Sequence, residues 1–206
     1  MLMRSDVRKA ALTTHVMSSV GWFGAVAAFF ALAVAGIISD TEQIVRSAYL
    51  MMELVTWTVI VPLSIATLVT GIVQGLGTPW GVFRHQWVVA KLVLTVVATV
   101  LLLVHAQAVG QVAALATERS IVDLRAMRIR LIADAGAAIM ALVVATTLSV
   151  YKPWGLTSYG RRVALGSNVA AVLERDRLWK VLWIAGLVTA FMLFALMHLS
   201  GGMRHH

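Results

Sequence analysis

The stretch LVLTVVATVLLLVHAQAVGQVAALAT, which covers residues 92–117, contains no Lys, Arg, Asp or Glu. A helix needs about 20 apolar residues to cross a lipid bilayer, and this stretch is longer than that. Four other segments are also long and apolar and contain no Lys, Arg, Asp or Glu, except that one of them includes Asp134 near its start. The sequence therefore predicts about five membrane-spanning helices, at approximately residues 13–38, 50–75, 87–110, 130–151 and 179–200.

The composition of the chain supports a membrane location. Of its 206 residues, 60% are hydrophobic and only 13% are charged, whereas soluble domains have about 25% charged residues. Because lipid offers no hydrogen-bond partners, the backbone of a spanning segment must satisfy its own polar groups. Strand-like alternation of apolar and polar residues is missing, so the segments are predicted to be helices. We expect one all-α domain, residues 1–206, that forms a polytopic transmembrane helical bundle in contact with the lipid bilayer.

The distribution of basic residues predicts the orientation of the bundle. Eleven of the 17 Lys and Arg residues fall at the N-terminus and in connections on the same side of the predicted bundle. The other six fall on the opposite side, where we expect Arg125, Arg128 and Arg130 to lie at the lipid headgroups. The positive-inside rule then places the N-terminus in the cytoplasm. Since the net charge of +8 is distributed over these loops, it indicates membrane topology and not a nucleic-acid partner.

Four predicted helices each carry one ligand-type residue at a similar depth near the outer surface, namely Glu53, His105, Asp134 and His198. Ionisable side chains are costly inside a bilayer, so each is a candidate functional residue. His105 and His198 can be axial ligands of a b-type haem. All four residues together can instead bind a transition metal such as Cu, Zn or Fe. A third interpretation needs no cofactor, because the same groups can form separate ion pairs near the membrane surface.

A second candidate site lies on the cytoplasmic side, where His15 and His85 can pair. Alternatively, His85 is an interfacial loop residue, because Arg84 and Gln86 flank it. Lys91, at the start of the third span, is expected to extend towards the cytoplasmic headgroups. Two connections on this side contain the tripeptide Pro-Trp-Gly, at residues 79–81 and 153–155. Proline and glycine end helices, so both are predicted to be turns. Their recurrence fits either a weak internal repeat of helical hairpins or ordinary helix stops.

Three functional hypotheses follow. The ionisable residues favour a small membrane redox protein that holds a haem or a metal and exchanges electrons with a quinone or a partner. A transporter or permeation protein for a cation or small molecule is the second, because a semi-polar stripe runs along the second span. The stripe comprises Glu53, Trp57, Ile60, Ser64, Thr67, Gly71 and Gln74. The third is an accessory subunit or a homodimer, since the first span has a face that lets another helix approach closely. This face comprises Gly24, Ala28, Ala31 and Ala35.

Three segments of the chain carry a resemblance to known sequences. They are HVMSSVGW at 15–22, TPWGVFRH at 78–85 followed by Lys91, and KPWGLTSYGR at 152–161. Together they resemble an uncharacterised bacterial family of predicted integral membrane proteins. More distantly, His15 followed by small residues and Gly-Trp is similar to the membrane domain of copper-resistance D proteins. The resemblance implies a location in the bacterial cytoplasmic membrane and implies no particular activity.

Overall fold

The computed structural model describes residues 3–78, 80–118 and 125–165. Within these ranges the chain forms helices, and their bounds are α1 Ser5–Ile38, α2 Glu42–Val55, α3 Val61–Gly77, α4 Gln86–Glu118, α5 Arg125–Tyr151 and α6 Ser158–Leu165. Between α2 and α3, Thr56–Ile60 forms a π-helical turn that continues the same helix. The predicted all-α fold is confirmed.

Four helical segments are long and apolar enough to cross a membrane. They are Ser5–Ile38, Glu42–Gly77, Gln86–Ala114 and Met127–Tyr151. Each contains one of the first four predicted spans. The second segment begins before residue 50 because a polar first turn extends it, in which the Arg46 guanidinium lies 2.6 Å from the Glu42 carboxylate. The fifth predicted span, 179–200, lies outside the described residues.

The bundle has a buried interior and an apolar outer surface. α1 packs against α2, α3 and α5, and α4 packs against the same three helices. The largest buried side chains of this core include Trp22, Phe29, Tyr49, Met52 and Val112. Other apolar side chains face outwards, and Met17, Leu76 and Val150 are about 70% exposed. An apolar surface of this kind suits contact with lipid and would associate in water, so the chain is a membrane protein.

The π-helical turn decides which residues of the second span face inwards. Pro62, just after this turn, has no backbone N–H and cannot donate the hydrogen bond of a regular α-helix. The wider turn leaves Thr56 1% exposed and Trp57 46% exposed. The predicted position of Trp57 on the inward stripe is therefore wrong, because the turn adds a residue to the helical repeat. Ser64 and Thr67, beyond the turn, are buried as that stripe predicts.

Arg128 does not extend to the lipid headgroups as predicted. Its Nε donates to the Tyr49 hydroxyl at 2.9 Å, and an Nη donates to the Gly36 carbonyl. Gly36 lies near the end of α1, where carbonyl groups lack partners within the helix and carry partial negative charge. One arginine therefore joins α1, α2 and α5 at this end of the bundle.

The two connections that contain Pro-Trp-Gly pack against each other at the opposite end. The Gln86 N–H donates to the Gly155 carbonyl at 3.1 Å, and the Thr157 N–H donates to the Arg84 carbonyl at 2.8 Å. These backbone hydrogen bonds join the start of α4 to the segment between α5 and α6. The recurring tripeptide thus has a structural role, while the predicted internal repeat stays a prediction.

Substituting Gly160 tests how much this contact contributes to stability. A Cβ at Gly160 would overlap the Arg84 carbonyl, which belongs to the backbone and has little room to move. Gly160→Ala is expected to lower the free energy of unfolding by about 1–3 kcal/mol, the usual cost of overpacking. The midpoint of thermal unfolding of the purified protein measures this loss of stability. Gly155→Ala is the matched control, since no atom lies within 4 Å of that Cβ position. Equal midpoints for the two variants would contradict the contact.

Candidate functional site

Two cavities lie between α1 and α4, one towards each end of the bundle, and each has a volume of about 110 Å³. We call the one near the Pro-Trp-Gly connections cavity A. Its lining includes His15, Thr67, Trp80, Trp87, Lys91 and Thr95. We call the other cavity B, and its lining includes Trp22, Thr56, Ala98, His105, Asp134 and Ala138. Ionisable side chains therefore line both cavities.

In cavity B, His105 of α4 faces Asp134 of α5. The His105 Nε2 lies 3.6 Å from the Asp134 Oδ2, which is an ion-pair contact slightly longer than a hydrogen bond. The His105 Nδ1 lies 2.8 Å from the Leu101 carbonyl oxygen. A carbonyl oxygen can only accept, so Nδ1 carries a hydrogen. The structure thus brings together two of the four predicted site residues and defines the orientation of the imidazole.

This contact joins α4 to α5 inside the bundle, with the Nε2 of His105 facing the carboxylate of Asp134. The two side chains are 24% and 23% exposed, so both are partly open to the cavity.

Glu53 lies apart from this pair, next to Gly110 of α4. A Cβ at Gly110 would be 3.0 Å from the Glu53 Oε1. Among residues 3–78, 80–118 and 125–165, no three His, Asp or Glu side chains form a group suited to holding a metal ion. His198 lies outside these ranges, so the haem and metal hypotheses that include it stay predictions.

In cavity A, His15 links α1 to α3 and α4. The Lys91 Nζ lies 3.3 Å from the His15 Nε2, and the His15 Nδ1 lies 3.0 Å from the Thr70 Oγ1. An ammonium group only donates, so Nε2 accepts and Nδ1 donates to Thr70. Thr70 in turn donates to the Ala66 carbonyl at 2.6 Å. The direction of each hydrogen bond in this chain is therefore defined.

The surroundings of Lys91 differ from the sequence-based expectation, whereas His85 lies in the connection before α4, as one of its two interpretations predicts. Lys91 points into the bundle and does not extend to the headgroups, because His15 accepts a hydrogen bond from it. The His85 Nδ1 donates to the Trp80 carbonyl at 2.7 Å. The two histidines of the predicted second site thus have different hydrogen-bond partners. The spacing of Lys91, Thr95 and Thr99 on one face of α4 is the signal that identifies Lys91 as an inward residue.

A layer of small hydroxyl side chains separates the two cavities. Along α4 the lining of cavity A includes Thr95 and that of cavity B includes Ala98, so Thr99 falls at the boundary. Ser18 occupies the corresponding level on α1, and Ser64 does so on α3. All three are buried, at 4%, 5% and 0% exposure respectively. Each of the three helices therefore places a hydroxyl group between the cavities.

The small-residue face of α1 is turned away from this site. Gly24, Ala28 and Ala31 are exposed within the described residues, and no atom lies within 4 Å of a Cβ built at Gly24. A homodimer or a larger complex formed through this face stays a prediction.

Comparison with known proteins does not assign the chain to a family. No protein-family model, no curated protein and no solved structure matches it. The resemblance to a bacterial membrane-protein family therefore stays a prediction, and function has to be argued from the geometry of the two cavities.

Substituting Asp134 tests its contact with His105 in cavity B. Asp134→Asn removes the charge and places an amide opposite the His105 Nε2. We expect the nitrogen NMR signal of the His105 Nε2 to change in this variant, because the group that faces it changes. The exposed Asp40→Asn is the control and should leave that signal unchanged. A His105 Nε2 signal that is the same in the wild type and in Asp134→Asn would contradict the contact.

Proposed function

We propose that this protein transfers protons through the membrane between cavity A and cavity B, as a transport protein for this cation. The observation that carries the proposal is the placement of two groups that bind protons, His15 with Lys91 and His105 with Asp134, on either side of a buried hydroxyl layer. Ionisable residues inside a membrane commonly form proton relays. Lys91 and His105 lie 14 positions apart on α4 by their numbers, or about 21 Å along the helix.

We infer that the hydroxyl layer forms a path between these groups when water joins its members. A hydroxyl donates one hydrogen bond and accepts two, so it can pass a proton along a chain of partners. Ser64 donates to the Val61 carbonyl at 2.8 Å and keeps its acceptor capacity. The Oγ1 atoms of Thr67 and Thr99 are buried without a hydrogen-bond partner. Buried polar atoms in such positions commonly bind water, and water at Thr67 and Thr99 would connect the two cavities.

Lys91 is suited to the exchange step in cavity A. His15 holds it there, since the His15 Nε2 accepts from Lys91 while the Nδ1 donates to Thr70. The Lys91 ammonium would release a proton to water at the hydroxyl layer, and the amine that remains would take up another from water in cavity A. In cavity B the Asp134 carboxylate beside His105 would receive the transferred proton and release it to water. We place the chain in the cytoplasmic membrane of a bacterium with the N-terminus inside, as the positive-inside rule and the resemblance favour, so that cavity A faces the cytoplasm.

Proton flux into liposomes tests the proposal. The purified protein is reconstituted with a pH-sensitive dye inside, and a potassium gradient with valinomycin supplies the driving force. The wild type is expected to change the internal pH faster than empty liposomes. Thr99→Val removes the central hydroxyl without changing the side-chain shape, and Asp134→Asn removes the proton partner; each should reduce the flux at least about tenfold, the effect of about 1.4 kcal/mol on a barrier.

The matched controls separate proton transfer from folding. Thr58→Val removes an exposed hydroxyl that bonds the Leu54 carbonyl and should leave the flux unchanged, as should Asp40→Asn. Thr99→Val should not lower the thermal midpoint, because it removes an unpartnered buried polar atom. Wild-type flux equal to that of empty liposomes, or unchanged flux in Thr99→Val, would rule the proposal out.

A haem-binding redox protein is the second candidate. It is supported by the small side chains that line cavity B beside His105, namely Ala98, Ala106, Ala135, Ala137 and Ala138. Cavity B has a volume of about 110 Å³, which is smaller than a porphyrin, so the helices would have to separate there to admit a haem. His105 and His198 would be the ligands, and Asp134 would have to turn away from the Nε2 of His105.

The optical spectrum of protein expressed with added haem decides between the two candidates. Haem ligation predicts a Soret band in the wild type that is lost in both His105→Ala and His198→Ala and is retained in His85→Ala. A spectrum without the Soret band rules out the haem form of the hypothesis. Metal analysis of the same sample tests the form with Cu, Zn or Fe.

A further inference from the structure

The polar groups of cavity A are arranged to receive a ligand of opposite charge. Lys91 donates to His15 and keeps further N–H hydrogens, since an ammonium group has three. The Thr67 Oγ1, on the wall of the same cavity, is buried without a partner. We propose that cavity A binds a small monocarboxylate with an apolar body, whose two oxygens accept from Lys91 and Thr67. This binding site goes beyond proton transfer and does not depend on it.

Charge favours a monoanion over a neutral ligand. The ion pairs within the described residues join Arg46 to Glu42 and His105 to Asp134, so in this part of the chain Lys91 has no carboxylate partner. A cation in a poorly hydrated interior is stabilised when an anion binds next to it. Lys152 adds a second positive charge at the entrance, with its Nζ 4.8 Å from the Trp80 ring centroid.

The walls of cavity A favour a short apolar body. Trp80 and Trp87 contact each other edge to face, with centroids 5.8 Å apart, and further lining comes from Leu68, Ile72, Val82, Val88 and Leu92. The volume of about 110 Å³ is smaller than that of an apolar cavity that holds benzene, about 150 Å³, so the apolar body is smaller than a benzene ring. Trp80 is 45% exposed, so one wall of the cavity lies at the protein surface.

Calorimetric titration in nanodiscs of neutral lipid tests the site with three probes of one shape. Propionate carries the carboxylate, propionamide is its neutral counterpart, and propylamine is its cationic counterpart. We expect propionate to bind at least about tenfold more tightly than propionamide, because a hydrogen bond to a charged group is stronger than a neutral one. Propylamine should not bind.

Variants of Lys91 assign the binding to cavity A. Lys91→Gln keeps a donor for His15 but removes the charge, so propionate affinity should fall at least about tenfold while the midpoint of thermal unfolding is unchanged. Lys91→Arg should retain part of the affinity, and the exposed Lys9→Gln should leave it unchanged. Thr67→Val should weaken binding several-fold, whereas Thr58→Val should not.

Several outcomes would overturn the inference. They are no heat of propionate binding to the wild type, equal affinities for propionate and propionamide, and propionate affinity that Lys91→Gln leaves intact. Because the titration uses no proton gradient, these outcomes are distinct from a failure of proton flux. Flux without propionate binding would leave the hydroxyl path in place and remove only the carboxylate site.

Discussion

The rest of the structure depends on one constraint, which is that lipid offers no hydrogen-bond partners to polar groups. Each polar side chain inside the bundle must therefore find a partner within the chain or in a cavity. Arg128 meets this requirement with the last turn of α1 and the Tyr49 hydroxyl. Lys91 meets it through His15, whose other nitrogen bonds Thr70. These contacts hold the helices together and also concentrate the chemistry of the protein in its interior.

α4 is the helix on which both cavities depend. One of its faces presents Lys91, Thr95 and Thr99 in succession and continues to His105. α1, α3 and α5 supply the partners from other directions, namely His15, Thr70 and Asp134. Since every pair joins different helices, a change in helix packing would alter both cavities at once. The polar groups are therefore coupled to the fold itself, as expected of a protein that moves or binds a ligand within a membrane.

The π-helical turn shows how a local feature of the backbone affects the site. The extra residue rotates α2 relative to α3, so that Thr56 lines cavity B and Trp57 faces outwards. Such turns are frequent at functional sites. Without it, a regular helix would bring the bulky indole towards the position that Thr56 occupies. The turn thus keeps a small hydroxyl side chain, 1% exposed, on the wall that faces His105 and Asp134.

The sequence by itself determined the all-α class and the first four helices of membrane-spanning length, because apolar length is a property of each segment. It also identified Glu53, His105 and Asp134 as ionisable groups within these helices. Only the tertiary structure decided which of these groups meet. It paired Asp134 with His105, separated Glu53 from both, and turned Lys91 inwards to His15. The physical reason is that each partner lies on a different helix, so the contact depends on how the helices pack and rotate, which no single segment encodes.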